Sequence, residues 1–325
     1  MIQKDNILII APEEDIHAQA IAHVLRSQFG AQVFIWDSSR FPANDPTTFR
    51  LGANGTSFWI KSLDGCISVD SLRSVWWRRS TKFKISDSVS DPQVHNFCLR
   101  ECDAFFKGAL SALNIPIIND PNNEIAARKP LQLQVARKLG IIIPETIMSS
   151  DPQEIRAFWK TYSGKCIYKA FTSPSWRMAD TRLLSEVDLE DLETLRHAPI
   201  IVQEKIEKLH DVRVTIFGEK IFAASVHTNL PQAELDWRLD LTASWEKHEI
   251  PEDLGQKLVH LLHLLGLQYG CFDLRQSPDG SYVFFEVNPS GQFLFIEIDT
   301  NQRLIQACAE LLWYPQFSTQ EVYQS

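Results

Sequence analysis

Apolar and polar positions along the chain alternate between short fully apolar runs and stretches with a helical period. Residues 6–11, Asn-Ile-Leu-Ile-Ile-Ala, predict a buried strand. Ile16, Ala20, Ile21, Val24 and Leu25 then recur at helical spacing until Gly30, a natural helix stop, and residues 32–36 form the next apolar run. Strand, helix, strand in that order predicts a parallel sheet. Residues 40–65 are rich in turn formers and predict loops and a small meander. Residues 92–113 predict a long helix, and residues 116–119 a strand that leads out of the first lobe. Beyond it the spacing predicts a helix over 131–139 stopped by Gly140, and a helix after Asp151-Pro152 carrying Ile155, Phe158 and Trp159. A strand over 164–170 has Lys169 near its end, and a strand over 199–206 breaks into a connector. A hairpin over 211–226 turns at Gly218-Glu219. Leu254, Leu258, Leu261, Leu262 and Leu265 mark one face of a helix over 253–266, flanked by His260 and His263, which on such a face are more often packing or surface residues than ligands. Residues 270–274 and 282–287 predict a strand pair, and a last helix lies near 304–312. The expected fold is α/β with α+β lobes: an N-terminal parallel lobe over 1–119, a central lobe over 120–201 and a C-terminal lobe over 202–325.

The chain of 325 residues is long enough for such a division. Its 44% hydrophobic and 22% charged composition is that of a globular protein. No run is apolar enough to span a bilayer, and the amino terminus enters a strand without a signal-peptide layout, so no membrane partner and a cytoplasmic location are expected. A net charge of −9 argues against nucleic-acid binding and requires any anionic ligand to be held by a local cluster of cations. The six cysteines contain no CxxC pair and read as reduced packing thiols. No GxGxxG follows the first strand, so a dinucleotide site is not supported.

The chemistry concentrates near the end of the chain. Glu286 and Asn288 stand two apart on a strand and therefore share a face. The strand before the Pro278-Asp279-Gly280 turn brings Asp273 beside them. Three oxygen donors at a strand end suit Mg²⁺, which leaves the rest of its shell to water and phosphate. The bland alternative is a lone charge at a strand end, but a buried carboxylate without a partner is costly. Val75-Trp-Trp-Arg78-Arg79 fits equally a basic tip on a ligand or a packed strand with solvated arginines.

Lys129 and Lys169, then the connector Gln203-Glu204-Lys205-Ile206, then Asp211 and Arg213, Asp236-Trp-Arg238, and lastly Asp273, Glu286 and Asn288 form a series that resembles the ATP-grasp ligases. The Glu286-Val-Asn-Pro-Ser-Gly-Gln292 pattern, the Trp-Trp-Arg-Arg and Lys129-Pro-Leu-Gln-Leu-Gln-Val-Ala136 stretches, and Tyr168-Lys-Ala-Phe171 look like the ribosomal-peptide maturases that make microviridins and other graspetides. The resemblance implies an enzyme that binds ATP and Mg²⁺ between its last two lobes. It would phosphorylate Glu or Asp side chains of a precursor peptide and join them to Thr, Ser or Lys through an acyl phosphate. It implies phosphate contacts from Lys129 and Lys169, adenine contacts from main-chain groups of 204–206, and a ribose contact from Asp211. It further implies metal ligation by Asp273, Glu286 and Asn288, charge stabilisation by Arg213 and Arg238, and a homodimer. One departure stands out: residues 171–182 contain no glycine to wrap phosphates but offer Ser173, Ser175, Trp176, Arg177 and Arg182.

The leader of such a precursor docks away from the chemistry. Glu190 and Asp191 could pair with an arginine in it while Leu189 and Leu192 contact apolar residues; a solvated helix face is the ordinary reading of such a charge run. Arg78, Arg177 and Arg182 are further candidates for substrate contact. A different ATP-grasp ligase joining an amino acid or small amine to a carboxylate is the alternative, and an idle nucleotide- or peptide-binding protein is a third. The intact donor set argues against the third.

Overall fold

The computed structural model describes residues 5–315 except 54, 63–64 and 173–179. The amino-terminal domain begins with β1 (Asn6–Ile10), α1 (Ile16–Phe29) and β2 (Gln32–Trp36), followed by a meander of β3 (Thr47–Gly52), β4 (Gly55–Ser62) and β5 (Gly65–Ser68). The chain then re-enters the first sheet as β6 (Ser74–Trp77) and, after α2 (Pro92–Ser111), as β7 (Ile117–Ile118). The sheet is wholly parallel in the order β2-β1-β6-β7. Asp15 and Asp91 cap α1 and α2 by accepting amides of their first turns, and Gly30 closes α1 in the left-handed region that glycine adopts without strain.

Two helices follow, α3 (Pro121–Ala126) and α4 (Lys129–Lys138). The central sheet is β8 (Thr146–Ser149), β9 (Cys166–Lys169), β10 (Arg182–Leu183) and β11 (Ile200–Glu204), ordered β10-β9-β11-β8, with α5 (Pro152–Thr161) and the short α6 (Glu186–Glu190). β11 therefore continues the central sheet past residue 201. The last sheet, β14-β13-β12-β15-β16, is antiparallel and contains β12 (His210–Phe217), β13 (Lys220–His227), β14 (Ser244–Lys247), β15 (Tyr269–Gln276) and β16 (Tyr282–Asn288). α7 (Glu252–Leu264), α8 (Leu294–Thr300) and α9 (Leu304–Trp313) pack around it. The mixture of parallel and antiparallel sheets agrees with the α/β expectation. α8 escaped the sequence reading because Leu-Phe-Ile-Glu-Ile-Asp-Thr alternates as a strand would.

The hydrophobic cores show which parts belong together. One core joins Ile7, Ile9, Ala18 and Trp76 of the amino-terminal domain to Phe217, Tyr269, Phe293 and Leu304 of the last lobe. A second, inside the last lobe, takes in Leu133 and Ala136 of α4, so this helix packs with the carboxy-terminal sheet. The central sheet has a small core of its own around Ile155, Cys166, Leu192 and Val202. Among the described residues no helix is long and apolar enough to cross a membrane.

Polar groups lock the joint between the first and last parts. Asn119, buried and left-handed at φ 57°, accepts the amides of Gln268 and Tyr269 and donates to the carbonyls of Tyr269 and Pro289. His17 Nε2 accepts the amides of Phe293 (3.0 Å) and Leu294 (3.2 Å) at the start of α8. An imidazolium has no lone pair to offer them. Burial first, then the charges of Arg78 and Arg79, lower the His17 pKa to about 4. Below its folded pKa the unfolded chain has already gained the proton near the ordinary value of 6.5, so this contribution is complete above pH 6.5 and lost between pH 6.5 and 4. Up to about 3 kcal/mol is at stake. Denaturant unfolding of the wild type should lose stability across that window, and His17→Gln, which keeps an acceptor but does not titrate, should show a flatter curve there; parallel curves would refute the role of His17.

Candidate active site

β15 and β16 place the chemistry through their pairing. Phe272, Leu274, Phe284 and Val287 are buried under α4 and α7, which turns the intervening positions toward the opposite face. Asp273 pairs with Glu286, but Leu274 pairs with Phe284, so Phe285 is an extra residue in β16. The bulge puts both Phe285 and Glu286 on the exposed side of the sheet. Asn288 lies beyond and donates from Nδ2 to Asp273 Oδ2 (2.8 Å) and Glu286 Oε1 (3.4 Å). The three expected donors are thus in contact with one another.

α4 is clamped to this strand by one side chain. The Gln132 amide donates to the Val287 carbonyl and accepts the Val287 N–H, continuing the ladder where no further strand exists. Lys129 stands one turn earlier on the same face, and its Nζ lies 2.7 Å from Glu286 Oε2. Lys169, at the end of β9, faces the same carboxylate and sits 5.6 Å from the centre of the Phe285 ring. Arg213 on β12 donates from Nη1 to Asp273 Oδ1 (2.7 Å) and from Nη2 to the Gln292 carbonyl (3.2 Å).

Charge makes this a prepared site. Burial alone would raise Glu286, but Lys169, Lys129 and the bonds from Lys129 and Asn288 bring it down to about 2. Burial and the neighbouring Glu286 raise Asp273 against the pull of Arg213 and Arg238. Burial lowers Lys169 although Glu286 opposes the shift. Two carboxylates side by side, one held ionised and the other pushed toward protonation, are a site that gains from a cation. Among the described residues no group of three His, Cys, Asp or Glu is assembled for a metal. Two carboxylates and an amide fit a cation that takes its remaining oxygens from phosphate and water. As oriented, Asn288 offers nitrogen to the carboxylates; half a turn of its amide would offer oxygen.

A cleft of about 560 Å³ opens over this floor and is lined by every residue of the series from Lys129 to Asn288. Gln203 Nε2 donates to Thr146 Oγ1 (2.9 Å), and Glu204 Oε1 accepts the Glu145 amide (3.0 Å). In the connector, the Lys205 N–H is used by the Lys165 carbonyl and the Ile206 carbonyl by Arg275. Asp211 is held between Arg275 (2.8 Å) and Lys208 (3.2 Å). The Arg238 guanidinium pairs with Asp236, and this bond, opposed by burial, raises its pKa. Arg275 and Phe285 line the cleft and Lys208 holds Asp211 from behind it; none of these places was legible in the sequence, because each depends on tertiary contacts. Behind the lining, Glu124 accepts the hydroxyl of Ser290 (3.0 Å); burial, against that bond and Arg78, raises its pKa to about 8.

Other expectations fall elsewhere. Arg78 lies outside the lining of the cleft: it is wholly buried, and its Nη1 donates to the carbonyls of Ser290 (2.6 Å) and Gly291 (3.0 Å). Arg182 lies on β10, paired with Asp180 outside the cleft lining, and Glu190 and Asp191 are exposed at the end of α6. Ser173, Ser175, Trp176 and Arg177 lie outside the described residues.

Gly291 permits the close approach behind the floor. A Cβ there would come within 2.5 Å of Cys271 Cβ and 2.9 Å of Arg213 Nη2. Gly291→Ala should cost about 1–3 kcal/mol of stability as overpacking and displace Arg213, read as a lower melting temperature and weakened MgATP binding in calorimetry. A variant with wild-type melting and binding would contradict the packing described.

Residues 6–125 match the family described as the MvdD pre-ATP grasp domain. No curated protein matches the chain. Among solved structures, the macrocyclase MdnC from Microcystis aeruginosa MRC, bound with precursor peptide MdnA, is 28% identical over 94% of this chain and 98% of its own, with a TM-score of 0.83. The macrocyclase MdnB from the same organism is 26% identical over 95% and 99% of the two chains, with a TM-score of 0.79. The Chryseobacterium gregarium RiPP-associated ATP-grasp ligase, in complex with ADP and a leader and core peptide, shares the fold at 23% identity and a TM-score of 0.86, over 95% and 96%. The chain is thus similar over nearly its whole length to ATP-grasp ligases that modify ribosomal peptides, and its first part matches the MvdD pre-ATP grasp domain family.

Proposed function

We propose that the protein is an ATP- and Mg²⁺-dependent macrocyclase of a ribosomally made precursor peptide. The observation that carries this is the Asp273–Glu286 pair under Lys129, Lys169 and Arg213 at the floor of the cleft. MdnC is bound with a precursor peptide and the Chryseobacterium ligase with ADP, leader and core, and this chain shares their fold almost end to end. A substrate Glu or Asp carboxylate attacks the γ-phosphorus of ATP, ADP leaves, and an acyl phosphate forms. A Thr or Ser hydroxyl, or a Lys amine, attacks the acyl carbon; inorganic phosphate leaves and the nucleophile loses its proton. Each ester or amide thus costs the peptide one water. Mg²⁺ held by Asp273, Glu286 and Asn288 would neutralise the β- and γ-phosphate oxygens. Lys129 and Lys169 hold phosphate oxygens, Asp211 the ribose, and main-chain groups of 204–206 the adenine. Arg213 and Arg238 stabilise charge on the transferring phosphoryl group.

The test is the intact mass of the precursor after incubation with ATP and Mg²⁺. Loss of one water per cross-link is expected, and Glu286→Gln should slow it about 10²-fold or more. A mass gain equal to an amino acid would point instead to an amine-adding ligase.

The leader dock is proposed at α6, with one correction. Leu192 is buried and Leu189 packs against the central core, so neither supplies the apolar surface. Leu183 and Val187, 49% and 73% exposed, do so beside Glu190 and Asp191. Charge reversal at Glu190 and Asp191 should weaken leader binding by about tenfold and leave nucleotide affinity intact; unchanged leader affinity would remove the dock. Val94, Phe97 and Phe105 leave an apolar strip on α2, which supports a homodimer. The cysteines are free thiols, which suits a reducing cytoplasm.

A further inference from the structure

The parallel sheet of the amino-terminal domain has a place where its connections part. From β1 the chain crosses to β2 on one side, and from β6 it crosses to β7 on the other. At the carboxyl ends of two such strands the loops diverge and leave a crevice, the usual ligand position in open α/β sheets. A second cavity of about 450 Å³ lies there. It is walled by the start of α1, by Arg79, Ser80 and Thr81 after β6, and by Gln292 from the last lobe. Arg79 and Gln292 border this cavity and the nucleotide cleft alike.

Several of its polar groups are already committed. Asp15 caps α1, Thr81 bonds Asp37, and His17 accepts the α8 amides. Arg79 and Glu14 are different: among the described residues neither side chain has an ion-pair partner, and both face the crevice. A cation on the divide and an acid within the crevice match a substrate that brings a carboxylate and a hydroxyl or amine to the same point. Joining two side chains of one peptide needs two seats, because the nucleotide-sized cleft alone would hold ATP and the carboxylate.

We propose that this crevice seats the part of the core peptide that carries the attacking hydroxyl or amine, and that Arg79 on the divide grips the carboxylate to be activated. The inference rests on the macrocyclase reading and adds to it a nucleophile seat in the amino-terminal domain. Glu14 faces the incoming hydroxyl or ammonium, and Gln292 places the seat directly beside Arg213, whose Nη2 donates to its carbonyl.

Two measurements test it, both on the full-length protein with a precursor peptide. Ile16 borders the crevice and is 62% exposed, so Ile16→p-benzoylphenylalanine can be introduced without disturbing a core. Photolysis with the peptide should give cross-links that map by tandem mass spectrometry to the core. Arg79→Ala should raise the KM for the precursor about tenfold or more, the worth of a charge-assisted bond, and leave MgADP affinity unchanged. Wild-type conversion of the same peptide is scored in parallel. An unchanged peptide mass with wild-type enzyme defeats the macrocyclase reading. Cross-links confined to the leader, or absent, in an enzyme that still closes rings defeat the crevice assignment, as does an Arg79→Ala enzyme with wild-type KM.

Discussion

The loop that leaves β16 has buried and part-buried main-chain groups that side chains from the rest of the molecule satisfy. Asn119 takes the Pro289 carbonyl, Arg78 those of Ser290 and Gly291, Tyr269 also that of Gly291, and Arg213 that of Gln292. His17 takes the next two amides. Unmet, each buried group would cost on the order of 1–3 kcal/mol. The partners come from β6, the hinge after β7, α1 and the sheet itself. One loop therefore fixes the amino-terminal domain to the lobe that holds the donors, and fixes Arg213 behind Asp273.

Asp273, Glu286 and Asn288 were legible because strand periodicity is local: two residues apart means one face. Lys129 and Lys169 were legible by resemblance, and their convergence on Glu286 follows from helix and strand ends that the apolar pattern marks. Arg78 was not. An arginine after two tryptophans looks solvated until the carbonyls it serves, 212 and 213 residues away, are in place. Leu192 fails for a similar reason, since one turn of 3₁₀ geometry after α6 rotates it inward. The bulge at Phe285 has no signature in the apolar run and is visible only as a shift in pairing.

Electrostatically, the floor of the cleft is a set of bonds waiting to be exchanged. Lys129 with Glu286, Arg213 with Asp273 and Arg238 with Asp236 are internal pairs that neutralise one another. Under the proposed function, polyphosphate and its cation would offer each member a partner of the opposite sign. The cations need not be recruited from solvent, and little reorganisation remains for the moment of phosphoryl transfer.

The division of the cores sets which part of the molecule can move. The first and last parts share one apolar core, so separating them would expose it to water. The central sheet keeps a small core of its own and meets the core of the last lobe through Met148 of β8, so turning it would open a narrow apolar seam. The central sheet is then the part that can turn with the smallest apolar loss, a jaw against an anvil made of the first and last parts. The anvil carries Asp273, Glu286, Arg213 and the crevice of the amino-terminal domain; the jaw carries Lys169 and the connector strand. Turning the jaw would move Lys169 and the connector against Asp273 and Glu286, while Arg213 and the crevice keep their places beside those carboxylates.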